Sequence, residues 1–173
     1  TIDYILAWCA LAKLGAVEVP VNNHARGTVF AHVVNDSLAK TMIVDRQYLD
    51  RLEFVLDDLK GVERLILYTK DAKGSEPGLP PVLASRFTEQ RFERLFETNA
   101  APIDGEGPRY NDLMGIMYTS GTTGPSKGSM NCHAHAYEYA MTAVELLELK
   151  PGDVYYAPLP MFHIAGQWAV VYA

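Results

Sequence analysis

The chain has 173 residues, 49% of them hydrophobic and 21% charged, with a formal net charge of −6. This length suits one ordinary domain with a sizeable buried core, and the composition excludes an intrinsically disordered chain. The acidic balance and the lack of any Lys or Arg run exclude a nucleic-acid footprint, while the longest apolar stretch, around Ile2 to Leu14, is broken by Asp3 and Lys13 and is too short to span a bilayer.

Along the chain, Ile5, Leu6, Trp8, Cys9, Leu11, Ala12 and Leu14 recur at helical spacing, and Gly15 follows as the residue that can adopt a left-handed cap. Val17 to Val21 reads as a strand, Gly27 to Leu38 as a helix and Thr41 to Val44 as a second strand. Leu49, Leu52, Leu56 and Leu59 share one face of a helix expected over Gln47 to Leu59, and a strand is expected over Val62 to Tyr68. Alternation of this kind predicts an α/β fold with a partly parallel sheet flanked by helices, because parallel neighbours need crossover connections.

Gly74, Ser75, Pro77, Gly78, Pro80 and Pro81 mark Lys70 to Ala84 as a surface loop. Phe92, Leu95 and Phe96 predict a short helix, and Ala101 to Tyr110 a further Pro- and Gly-rich connection. Leu113 to Tyr118 reads as a buried strand that leads straight into a glycine-rich segment. Beyond it come a helix over about Ala134 to Leu149, a turn at Pro151-Gly152-Asp153 and a strand over Val154 to Ala157.

The glycine-rich segment is Tyr118-Thr119-Ser120-Gly121-Thr122-Thr123-Gly124-Pro125-Ser126-Lys127-Gly128. A polyphosphate needs several donors converging on its oxygens, and backbone N–H groups converge only where side chains leave room. Gly121, Gly124 and Gly128 leave that room, Ser120, Thr122 and Thr123 add hydroxyls, and Lys127 adds a mobile cation. The alternative is a polar turn between two elements, since Gly, Ser and Thr are common in any loop. A Walker loop fits poorly, because it needs glycine before the lysine and Ser or Thr after it, where Ser126 and Gly128 stand.

These residues resemble the signature of the adenylate-forming acyl-CoA synthetases, Tyr-Thr-Ser-Gly-Thr-Thr-Gly-x-Pro-Lys-Gly, with Ser126 in place of the usual proline. Leu11-Ala12-Lys13-Leu14-Gly15-Ala16 with Val19-Pro20-Val21-Asn22, and Ser37-Leu38-Ala39-Lys40, resemble the upstream motifs of the same family. Pro158-Leu159-Pro160-Met161-Phe162-His163-Ile164-Ala165-Gly166 resembles the motif that begins its acyl pocket.

The resemblance implies activation of a carboxylic acid by ATP to an acyl-adenylate, with transfer to coenzyme A. It implies that Ser120, Gly121, Thr122, Thr123, Gly124, Lys127 and Gly128 bind the phosphates, that Thr119 helps hold Mg²⁺, and that His163 meets the acid or gates its tunnel. Lys127 and His163 are thus the expected catalytic residues. An acceptor thiol on a carrier protein, an oxygen acceptor, and a nucleotide-sensing module without chemistry are the competing readings. The Met161-Phe162-His163-Ile164 run slightly resembles fatty-acid and crotonobetaine/carnitine ligases. The expected partners are a small carboxylic acid, ATP and coenzyme A, with no nucleic acid, no membrane span, and a second copy of the chain as a candidate homodimer partner.

Cys9 and Cys132 lie far apart with no metal or redox spacing, which points to a reducing cytoplasm. Cys132 reads as a small packed hydrophobe, and His24, His32 and His135 share no metal-ligand spacing. A first residue Thr1 and a close inside the apolar run Val170-Val171-Tyr172-Ala173 predict a piece of a longer protein. In the resemblance it is part of the large N-terminal domain, without the adenine- and ribose-binding segments and without the small C-terminal domain.

Overall fold

Gly15 closes the first helix as its position predicts: with φ of 69° it donates to Ala12 O, and Ala16 donates to Leu11 O, so the last carbonyls of the helix are satisfied. The structure is a computed structural model that describes residues 1–70, 77–97, 103, 105–119, 124–156 and 158–171. In chain order α1 spans Ile2–Leu14, α2 Gly27–Asp36, β1 Thr41–Asp45, α3 Leu49–Phe54, β2 Arg64–Tyr68 and α4 Pro81–Ala84. They are followed by β3 Thr88–Arg91, β4 Leu113–Thr119, β5 Lys127–Cys132, α5 His133–Leu146 and α6 Ile164–Trp168.

The chain divides into two units, one made of Thr1–His24 with Ile103–Ala173 and the other of Ala25–Pro102. The second unit holds the parallel sheet, ordered β1-β2-β3, with Ile43 opposite Ile66 and Ile66 opposite Gln90. Leu65 and Leu67 alternate along the central strand and are fully buried, the period-2 pattern of a strand with one covered face. Phe30, Val33 and Val34 form the buried stripe of α2 at helical spacing. α2 stops two residues short of the expected end, because Ser37 caps it and Leu38 turns to φ of 59°.

The single helix expected over Gln47 to Leu59 is instead three pieces: 3₁₀ turns over Arg46–Tyr48 and Leu56–Asp58 flank the short α3. Asp45 caps the first turn by accepting from Gln47 N, and Val55, with φ of −114° and ψ of 15°, breaks the α geometry. The tighter turn that follows, with Asp58 N donating to Val55 O, buries Val55 and Leu59 and leaves Leu56 half-buried. Asn35 fixes this turn from α2, its side chain donating to Asp58 O and accepting from Lys60 N. The expected loop before Ala84 ends in α4, whose Leu83 is fully buried, and residues 71–76 lie outside the described ones.

In the first unit the core gathers Trp8 and Ala12 from α1, Met114 and Met117 from β4, Ala136 from α5 and Trp168 from α6. The expected strand over Val17 to Val21 is reduced to one parallel bridge, Glu18 with Gly115; Pro20, which has no N–H, cannot extend it. The strand expected at Val154 to Ala157 is also absent over the described residues 154–156: Val154 is 95% exposed, and no described strand pairs with the run. Asp153 closes the predicted turn before it, accepting from Lys150 N and donating its own N–H to Lys150 O.

Truncating Leu65 to Ala removes a fully buried branched side chain from the central strand. Urea unfolding of L65A should show a loss of about 2–5 kcal/mol.

Candidate functional site

β4 delivers the glycine-rich segment. Its inward residues Met114 and Met117 anchor it in the core, and it ends at the exposed Thr119. The chain then returns as β5, an antiparallel partner that sequence reading missed because Lys127-Gly128-Ser129-Met130-Asn131-Cys132 carries no apolar run. Thr119 pairs with Lys127 and Tyr118 with Gly128, so residues 120–126 connect two hydrogen-bonded strands. Ser120, Gly121, Thr122 and Thr123 lie outside the described residues.

A strand after the segment, in place of a helix, argues further against a Walker loop, in which phosphate sits at a helix N-terminus. Any anion held here relies on backbone N–H groups, hydroxyls and the Lys127 ammonium. Lys127 is exposed, and no described residue forms an ion pair with it. At Gly124, a Cβ would meet no heavy atom of the described residues within 4 Å.

Gly128 has a different reason to be glycine. A Cβ there would stand 2.7 Å from Ile116 Cγ2 and 3.1 Å from the Tyr118 ring, both on the opposing strand. Packing across the hairpin excludes a side chain at this position. Replacing Gly128 with Ala should cost about 1–3 kcal/mol in chemical denaturation, and adding Ile116→Ala should recover part of it by removing the closest clashing methyl.

His163 is exposed and is the N-cap of α6, its Nδ1 accepting from Ala165 N at 3.2 Å. That bond sets the ring's free proton on Nε2. The turn that presents it needs Gly166, because a Cβ would collide with the Pro160 carbonyl. Thr119, Lys127 and His163 all belong to the first unit, the first two paired across the hairpin and His163 presented separately from α6. A shallow groove of about 510 Å³, lined by Leu14, Gly15, Pro108, Arg109 and Asp112 among others, includes none of these three.

Cys132 does have a base nearby. As N-cap of α5 it donates its backbone N–H to His135 Nδ1 at 3.1 Å, with Sγ 3.6 Å from the same nitrogen. The imidazole completes a capping box, an i, i+3 pattern that the sequence displays, and so serves the helix end. Among the described residues no group of three or more His, Cys, Asp or Glu could hold a metal.

The feature that sequence reading overlooked is buried. Glu18 is 8% exposed and Gln167 fully buried; Tyr4 Oη donates to Glu18 Oε1 at 2.8 Å, and Gln167 Nε2 donates to Tyr4 Oη at 2.7 Å and to Glu18 Oε1 at 3.0 Å. The backbone of Glu18 is held at the same time, its N–H donating to Met114 O and its carbonyl accepting from Ile116 N. Burial pushes the Glu18 carboxyl up to about 7, against the smaller lowering from the Tyr4 and Gln167 donors. Burial and the neighbouring carboxylate also keep the Tyr4 phenol protonated.

Burial of this acid makes stability depend on pH. Below its ordinary 4.5 the acid is neutral in both states; between 4.5 and 7 only the unfolded chain sheds the proton, so stability falls as pH rises through that window and then levels. Thermal or urea unfolding between pH 4.5 and 8 should show a loss of about 3 kcal/mol that Glu18→Gln removes.

Against known proteins, the AMP-binding enzyme family matches residues 1–173. The chain belongs to the AMP-binding enzyme family. It is 30% identical over 172 residues to 4-hydroxybutyrate–CoA ligase 2 of Metallosphaera sedula, covering 98% of this chain and 30% of that protein. It is 26% identical over 175 residues to the long-chain-fatty-acid–CoA ligase FadD13 of Mycobacterium tuberculosis, covering 100% and 31%. The crystal structure of a long-chain-fatty-acid-CoA ligase, FadD1, from Archaeoglobus fulgidus shares the fold with a TM-score of 0.74 at 24% identity, over 99% of this chain and 30% of that one. The chain therefore spans about three tenths of the length of the curated relatives it matches. No helix among the described residues is long and apolar enough to cross a membrane.

Proposed function

We propose that the protein to which this chain belongs activates a carboxylic acid with ATP and passes the acyl group to coenzyme A. The carboxylate oxygen attacks the α-phosphorus, the bond to pyrophosphate breaks, and an acyl-adenylate forms. The coenzyme A sulfur then attacks the acyl carbon, AMP departs and the thiol proton goes to solvent. The observation that carries this reading is the pairing of Thr119 with Lys127 across the two strands that bracket the glycine-rich segment, in a chain matched to the AMP-binding family throughout.

In this reading Ser120, Gly121, Thr122, Thr123, Gly124 and Gly128 hold the phosphates with backbone and hydroxyl donors, and Lys127 neutralises charge that builds on them. Gly128 adds its backbone alone, since packing already forbids it a side chain. Mg²⁺ suits the one exposed hydroxyl of Thr119 only as a shared ion, because Mg²⁺ on nucleotides keeps phosphate and water ligands and needs few from protein. It would supply charge neutralisation on the phosphates. His163, exposed and with Nε2 left as a donor, meets the acid.

Residues 1–173 form part of the larger N-terminal domain, with adenine and ribose contacts and a small C-terminal domain supplied by other parts of the protein. The free cysteines suit a cytoplasmic enzyme.

Lys127→Ala in the intact protein should slow acid-dependent ATP–pyrophosphate exchange by about 10-fold or more. Unchanged exchange at both low and saturating ATP defeats the role given to Lys127. Acyl-adenylate formation without a coenzyme A-dependent product would redirect the acceptor to a carrier-protein thiol or an oxygen.

A further inference from the structure

Gln167 is fully buried, yet among the described residues its carbonyl Oε1 has no hydrogen-bond partner, while its Nε2 makes three contacts to the Tyr4–Glu18 pair. A buried acceptor without a donor is costly, and proteins seldom leave one so. The donors around Glu18 are arranged for a carboxylate: Oε1 accepts from Tyr4 Oη and Gln167 Nε2, and Oε2 receives a longer contact of 3.3 Å from the same amide. Those contacts favour the charged form, but burial outweighs them, and opening α6 would return the carboxyl to water; ionisation of Glu18 therefore favours the open state and protonation the seated one.

We propose that Tyr4, Glu18 and Gln167 form a proton-responsive seat for α6, in which ionisation of the buried Glu18 carboxyl favours an open state that returns it to water and protonation favours the seated one, so that Glu18 is a positioning residue for His163. The proton exchanges with solvent, and no other reactant is needed. The geometry supports this along two independent lines. Glu18 is fixed to β4 on both sides of its peptide, so a change at its side chain is felt by its partners and less by its own backbone. Gln167 lies one helical turn from His163 and donates its backbone N–H to the His163 carbonyl, so the seat of Gln167 is also the seat of the cap.

The groups that face Glu18 are few. α1 contributes Tyr4, α6 contributes Gln167, and β4 contributes the Met114 carbonyl and the Ile116 N–H. Tyr4 is the one described titratable side chain that acts on it. Burial places its ionisation near neutrality, where a cell can move it. The link to His163 rests on the function proposed above; the coupling of Glu18 to α6 does not.

Two measurements on the intact protein separate those levels. In hydrogen exchange corrected for intrinsic rates, the peptide over Ile164–Trp168 should lose roughly 10-fold protection between pH 5.5 and 8.5 in the parent, and Glu18→Gln should abolish that dependence. Tyr4→Phe, which removes a donor from the carboxylate and keeps the ring, should move the midpoint to higher pH. Equal protection at both pH values in the parent, or a midpoint unmoved by Tyr4→Phe, overturns the seat.

In ATP–pyrophosphate exchange, KM for the acid should rise across the same range in the parent and stay flat in Glu18→Gln, with kcat little changed. Superimposed KM profiles for the two proteins overturn the positioning of His163. Exchange activity absent from the parent, alongside the expected hydrogen-exchange result, strikes the proposed function alone.

Discussion

The candidate site depends on one ladder of backbone hydrogen bonds, the antiparallel pairing of β4 with β5. It sets Thr119 opposite Lys127 and so brings a hydroxyl and an ammonium together at the two ends of a segment whose glycines and hydroxyls suit an anion. The ladder holds because β4 is anchored in the core by Met114 and Met117 and because Gly128 leaves room for Ile116 and Tyr118. A side chain at Gly128 would force the strands apart at the point where their spacing matters.

The second constraint is electrostatic. An acid taken out of water with only three donor contacts from two side chains is held at a cost, and Glu18 shows it in the raised affinity for its proton. The same three side chains join α1 to α6, and the backbone of Glu18 joins both to β4. A polar cluster therefore runs beside an apolar core of two tryptophans and two methionines, and directionality comes from the cluster.

Much of the architecture was legible. The helix over Ile2–Leu14 with its glycine cap, the parallel strands near Thr41 and Arg64 and the strand into the glycine-rich segment all follow from apolar spacing and turn residues. The misses in the first unit share a cause. β5 is polar and exposed and exists by pairing with β4, so its own residues carry little strand signal. Val17 to Val21 and Val154 to Tyr156 carry that signal and form no strand, because β-branched and aromatic residues make a sheet only where a neighbour takes their hydrogen bonds. At the site, Gly128 reads as part of an anion loop, whereas its closest constraint is Ile116 across the hairpin.

By itself the sequence determined the family, through an ordered run of motifs, and the chemical character of the segment between Thr119 and Gly128. Those are properties of local order along the chain. Only the tertiary structure decided that this segment returns as a strand, that His163 caps a helix and that Tyr4, Glu18 and Gln167 meet, 163 positions apart at the extreme. Such contacts arise from chain segments brought together by burial, and no periodicity in a single stretch of residues encodes them.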